Sequence, residues 1–169
     1  MVKKSKKLKN QQNLNILEDN SFGHWIIPEN ITKFPDKTFG FIYLITNLRD
    51  KKYYIGCKMI EKTIKRKPLK GKTKRRIEKT SSNWREYTGS STELNADIDK
   101  LGKNQFKFQI IDFAFSKSEL KFKELLYQIV NNALFRDDFY NGIINVRLGR
   151  IKSFDKINDF SRYSLKIDA

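Results

Sequence analysis

The stretch Gly40-Phe41-Ile42-Tyr43-Leu44-Ile45-Thr46, a turn at Asn47-Leu48-Arg49-Asp50-Lys51, and then Tyr53-Tyr54-Ile55-Gly56 decides the fold. Two runs of β-branched and aromatic residues joined by a short polar turn spell a β-hairpin. Downstream, Thr92 to Leu101 has helical patterning and is closed by Gly102, a favoured residue for a helix C-terminal cap. Gln105 to Phe115 places Phe106, Phe108 and Ile110 at every second position and ends in an apolar run, the pattern of a central strand. Ser116-Lys117-Ser118-Glu119 matches a capping box, which predicts a helix from about Lys117 to about Ala133. Phe139-Tyr140-Asn141-Gly142-Ile143-Ile144 reads as a turn feeding a short strand. The order β, β, α, α, β, α and a final short strand predicts an α+β domain, with a mostly antiparallel three-stranded sheet and helices packed on it.

Around this unit the chain divides into four parts. Residues 1–20 form a Lys-rich, non-periodic stretch expected as a flexible arm, and residues 21–39 an extended segment whose Trp25, Ile26, Ile27 and Phe34 pack on the adjoining domain. The domain itself is expected over 40–149, succeeded by a weakly patterned tail over 150–169, too short for a second domain. The 22 aromatic residues, 13 of them Phe, exclude a disordered polycation. No apolar run reaches the roughly 18–20 residues of a membrane span, and no signal segment follows the basic N-terminus. A non-membrane, cytoplasmic protein is expected, in the host cell interior if the gene is phage-borne. The single Cys57 and single His24 argue against disulfides, zinc fingers and a serine–histidine triad other than one built on His24; both read as structural or incidental.

The net charge of +16 points to a polyanionic partner, nucleic acid ahead of an anionic membrane surface. Most of the excess sits between Lys51 and Lys79, where 13 Lys or Arg face only Glu61 and Glu78. Pro68 and Gly71 interrupt this run, so its middle is expected as a loop or distorted hairpin between helical ends. Lys65, Arg66, Lys67, Lys70, Lys72, Lys74, Arg75 and Arg76 are suited to binding a nucleic-acid backbone without reading its sequence. The competing account is a solvated charged loop.

Phe41-Ile42-Tyr43, ten intervening residues and Tyr54-Ile55-Gly56, followed by basic, polar and helical segments with Glu124, resemble the GIY-YIG nuclease domain over roughly residues 40–146. Arg66-Lys67-Pro68-Leu69-Lys70-Gly71-Lys72, Trp84 to Ser91 and Phe139-Tyr140-Asn141 are similar more narrowly to bacteriophage-encoded, homing-type members. The resemblance implies a GIY-YIG-type fold and a metal-dependent DNA endonuclease that leaves 5′-phosphate and 3′-hydroxyl ends. It gives Tyr43 the task of activating water, Tyr54 that of orienting water or phosphate, and Glu124 that of the single protein ligand of Mg²⁺ or another divalent cation such as Mn²⁺. Asn141 matches an asparagine that closes the family domain near the site.

A phenol near pKa 10 serves as a base only if a cation depresses that value, and the chain has many cations nearby. The family's phosphate-binding arginine falls where this chain has Ile64, so Arg66 is the first choice for the scissile phosphate, with Arg75, Arg76 and Arg85 as alternatives; Lys58 is a second cation. Phe41 stands for the first motif glycine, and Cys57 for a lysine common in the family. Each residue also has a plainer reading. Hairpin tyrosines pack sheets. Glu124 sits at the margin of an apolar stripe, Asn141-Gly142 is a turn dipeptide, and Trp84 and Tyr87 pack beneath the basic run. The alternative function is a GIY-YIG-fold DNA-binding module whose chemistry has weakened. A basic RNA-associated protein is a third. The chain alone leaves monomer and dimer equally open.

Overall fold

The computed structural model describes residues 22–29, 31–144, 146–149, 151 and 159–167. The arm expected over 1–20, and much of the tail expected over 150–169, lie outside the described residues. The elements are β1 (Gly40–Asn47), β2 (Lys52–Met59), β3 (Glu61–Arg66), β4 (Arg76–Ser81), α1 (Thr92–Leu101), β5 (Phe106–Ala114) and α2 (Lys117–Val130).

The hairpin forms because Asn47 makes its own turn: its buried side-chain oxygen accepts from the backbone N–H groups of Arg49 and Asp50, both at 3.1 Å. β1 and β2 then pair antiparallel, with Tyr43 opposite Gly56 and Ile45 opposite Tyr54. β5 joins the other side of β1, giving a three-stranded antiparallel sheet in the order β2-β1-β5. The β1–β5 register shifts between Ile42 and Tyr43, so Ile111 is an extra residue on β5. That bulge resets the alternation: Phe106, Phe108 and Ile110 share a face, and Phe113 returns to it opposite Phe41. The apolar run at the end of this strand therefore reflects a change of phase.

Two cores flank the sheet. On one face Phe41, Tyr43, Ile45 and Tyr54 pack with Leu94 and Ile98 of α1, with Trp84, and with the segment before β1. In that segment Trp25 inserts against Phe41 and Tyr43, and its indole N–H donates to the Trp84 carbonyl at 2.6 Å. On the other face Ile42, Leu44, Ile55, Leu120, Leu126 and Tyr127 are joined by Tyr163 from the tail. α2 starts as its capping box implies, with Ser116 Oγ accepting from the Glu119 N–H and the Glu119 carboxylate accepting from the Phe115 N–H. It ends at Val130 rather than near Ala133, where Asn132 turns into the left-handed region at φ 53°.

The clearest departure from expectation lies between β2 and α1. The hairpin expected in the middle of the basic run forms, but its flanks are strands instead of helical ends: Glu61–Arg66 and Arg76–Ser81 make a separate two-stranded antiparallel ribbon. Only the short 3-10 turn Trp84–Glu86 is helical there. Pro68 and Gly71 force a turn, closed by the Lys72 N–H on the Leu69 carbonyl, and like charges one helical turn apart would repel.

Candidate active site

Tyr43 and Tyr54 stand on the face of the sheet that α1 covers, whereas Glu124 stands on α2 across the opposite face. Tyr54 and Glu124 both reach one cleft beside β2, whereas Tyr43 is not among the residues lining it and lies buried over Gly56, which has no side chain. A Cβ there would overlap the Tyr43 hydroxyl and lie 2.6 Å from its Cζ, so the phenol crosses directly over the glycine. Tyr43 is 1% exposed, with Tyr54 and Tyr87 around it at ring-centroid distances of 6.1 and 6.2 Å.

The cleft has a volume of about 530 Å³, and its walls include Tyr54, Ser90, Lys121, Glu124, Gln128 and Asn141. The Tyr54 hydroxyl is hydrogen-bonded to Ser90 Oγ at 2.9 Å. Lys121 Nζ donates to Glu124 Oε2 at 2.9 Å and lies 3.6 Å from Cys57 Sγ. Burial opposes the charge on Lys121, but the hydrogen bond to Glu124 and the neighbouring acidic groups outweigh it, holding the ammonium above its ordinary pKa. Burial, reinforced by the Glu124 charge, pushes the Cys57 thiol up to about 12, so it is protonated at neutral pH. Asn141 makes a two-point clamp on Ile55, accepting from its N–H at 2.9 Å and donating to its carbonyl at 2.8 Å. Gln128 Nε2 donates to the same carbonyl at 3.1 Å.

The cations expected to depress the Tyr43 pKa do not do so. Burial raises it well above 10, and Tyr54, Tyr87, Cys57 and Glu124 add to the effect. Tyr54 is raised as well, again chiefly by burial. Both are neutral phenols at physiological pH, able to donate and accept hydrogen bonds.

The other expected site residues lie farther out. Lys58 holds its ammonium 3.5 Å from the Tyr87 ring centroid and donates to Asn83 Oδ1, one ring removed from Tyr43; desolvation lowers its pKa. Arg66 is on β3, ion-paired with Glu78, and is not among the residues lining the cleft. Lys65, Lys67, Lys70, Lys72, Lys74, Arg75 and Arg76 are exposed along the ribbon and its tip. Arg85 is exposed with its guanidinium over Trp84, whose own ring is buried.

Sequence reasoning passed over Lys121 and Ser90 and set Cys57 aside as structural or incidental. The i, i+3 spacing of Lys121 and Glu124 on one helix was the available signal for the first. Among the described residues no three or more His, Cys, Asp or Glu side chains gather to hold a metal ion. What the cleft offers is two carboxylates, Glu124 paired with Lys121 and Glu93 paired with Lys52, among neutral oxygens, with no thiol among the described residues of its walls. Such a donor set suits a hard dication that retains most of its waters. Among the described residues no helix is long and apolar enough to cross a membrane.

Comparison with known families adds one match: the model described as putative endonuclease segE, GIY-YIG domain, fits residues 25–144. Its span begins at Trp25, ahead of β1, and so takes in the aromatic segment docked on the sheet. No curated protein and no solved structure matches the chain.

Proposed function

The chain belongs to the GIY-YIG nuclease superfamily, and from that premise we propose that it is a divalent-metal-dependent DNA endonuclease of the phage or mobile-element type. The observation that carries this reading is that Tyr54 and Glu124 line one cleft, with the Tyr43 ring packed 6.1 Å from that of Tyr54 and lying over Gly56.

In this reading water attacks phosphorus, the bond to the 3′ oxygen breaks, and the products are a 5′-phosphate and a 3′-hydroxyl. Glu124 holds the divalent cation, Mg²⁺ or Mn²⁺, which when bound supplies Lewis acidity to the phosphoryl oxygens and to water. Tyr43 and Tyr54 act as neutral phenols that orient the attacking water. Asn141 positions Tyr54 by fixing the backbone of Ile55 next to it. Lys121, released from Glu124, meets the phosphate charge from inside the cleft, while Lys58 and Arg66 contribute from the Tyr87 side and the ribbon. The exposed cations from Lys65 to Arg76 bind the DNA backbone.

Supercoiled plasmid incubated with the protein in Mg²⁺ should be nicked or linearised, and chelator or Glu124→Ala should abolish this while leaving gel retardation intact. Retardation without any covalent cutting, across metals and substrates, would replace the enzyme with a DNA-binding module on the same fold.

A further inference from the structure

Between Glu61 and Ser81 the chain has ten Lys or Arg and two Glu, a net +8 that is half of the protein's +16. The structure puts +3 of this charge on the two strands, whose residues are exposed on both faces apart from the half-buried Ile64 and Thr80, and the other +5 on Lys67, Lys70, Lys72, Lys74 and Arg75 of the turn that joins them. A lone two-stranded ribbon is marginal in water. This one also sets Arg66 directly opposite Arg76, a like-charge pair that weakens it further. Two exposed cross-strand ion pairs, Arg66–Glu78 and Lys79–Glu61, offset little of this, and a polyanion laid along the ribbon and its tip would neutralise the excess charge.

Its dimensions select the polyanion. Strands about 4.8 Å apart, with their side chains, match a B-DNA major groove about 12 Å wide, and are too broad for a minor groove of about 6 Å. Cross-strand partners share a face, so Glu61, Thr63, Lys65, Ile77 and Lys79 lie on one side of the ribbon, with Lys79 ion-paired to Glu61, and Lys62, Arg66, Arg76 and Glu78 on the other. The first side carries Ile77, 71% exposed and directly opposite Lys65, which is the pairing of an apolar contact with a flexible donor that base edges accept. At the ribbon's root a second cavity, of about 740 Å³, is bordered by Lys37, Thr38, Lys62, Lys79 and Lys117 against the one carboxylate of Glu61.

We propose that β3–β4 is a groove-entering ribbon that lies in the major groove of duplex DNA with its Thr63, Lys65, Ile77 and Lys79 face toward the base edges. The lysine-bordered cavity at its root seats a flanking backbone phosphate. The inference rests on the DNA-nuclease reading and adds to it the form of substrate, a duplex, and the groove from which it is held. The ribbon then fixes the distance and angle at which the duplex is presented to the cleft.

The test is binding of a labelled mixed-sequence DNA duplex in chelator, so that nothing is cut. Three proteins are compared: the full chain, a variant in which Lys65 is joined to Ile77 through Asn-Gly, and the double substitution Lys37→Gln/Lys117→Gln, with circular dichroism checking that each is folded. The shortened ribbon loses seven cations, so its affinity should fall at least tenfold and its salt slope should flatten by several units, at about 0.9 for each phosphate no longer neutralised. The root variant should show a smaller loss of the same kind. Guanine N7 methylation should interfere with binding by the full chain, whereas netropsin in the minor groove should not. A-form duplex RNA, whose major groove is too narrow, should show no dependence on the ribbon. Equal affinity of full and shortened proteins, competition by netropsin, or equal ribbon dependence with RNA would each overturn the proposal while leaving the nuclease standing. Failure of the full chain to bind duplex DNA at all would sink both. If the Asn-Gly variant does not fold, Lys65→Gln/Lys79→Gln supplies the same comparison.

Discussion

Gly56 and Tyr43 make a single unit at the residue scale, and substitution can separate packing from chemistry. Tyr43→Phe keeps the buried ring and removes only the hydroxyl, so stability should change by about 1 kcal/mol or less, while plasmid cleavage falls roughly 10²-fold or more. Gly56→Ala places a methyl 2.6 Å from the Tyr43 Cζ and against its hydroxyl; overpacking of this kind costs roughly 1–3 kcal/mol, and cleavage should fall with it. Denaturant melts alongside cleavage rates distinguish the two, since a purely structural Tyr43 would give full activity as Phe. The motif spacing made both residues legible in the sequence. The protonation state of Tyr43 was not legible, because it depends on how deeply the ring is buried, and abundance of lysine in the chain says nothing of where the ammonium groups end. Lys121 escaped notice for a related reason: its contact with Cys57 joins residues 64 positions apart.

At the scale of elements, β2 is the strand on which the cleft depends, and its outer edge is held by a backbone bridge at Tyr53 and by the Asn141 and Gln128 side chains at Ile55. Asn141→Ala leaves the Ile55 N–H without its acceptor and should cost about 1–3 kcal/mol, seen as a lowered Tm. Gln128→Ala should cost less, since the Ile55 carbonyl keeps Asn141. The segment before β1 carries its own acid sensitivity. His24 packs on Phe108 and Trp25, and burial, with help from the Lys103 charge, lowers its pKa from 6.5 to about 4. Because the folded value is the lower one, the stabilisation is complete above pH 6.5 and is lost as pH falls toward 4. Trp25 fluorescence should report a loosening over that window, and His24→Phe should remove the step. Strands β1, β2 and β5 and helices α1 and α2 were readable from alternation, caps and turn residues. The ribbon was half readable. Pro68 and Gly71 marked its turn, but the charges on either side mask the β-branched Thr63, Ile64, Ile77 and Thr80 that make it a pair of strands.

For the molecule as a whole, charge is unevenly placed: the sheet carries the two cores, and half the net charge stands off it on the ribbon and its tip. DNA affinity should therefore fall linearly in log–log form with added salt, by orders of magnitude between about 50 and 200 mM if six or more phosphates are engaged; an affinity indifferent to salt would contradict the backbone-binding role. The α+β class and the basic partner surface could be read from the chain as written, while the closing of the sheet's margins could not, because it joins distant segments. Ile26 hydrogen-bonds to Phe108 and Ile110 along the outer side of β5. The Asp138 carbonyl and the Tyr140 N–H bond to Tyr53, and the Asn141 side chain to Ile55, along the outer side of β2. Neither margin of the central sheet is left bare along these stretches, and the ribbon, whose margins are bare, repels its own kind through its charge. A second molecule accordingly finds no ready template for strand-by-strand growth, so a protein this rich in β-branched and aromatic strands can be concentrated on a polymer such as DNA without being drawn into cross-β aggregates.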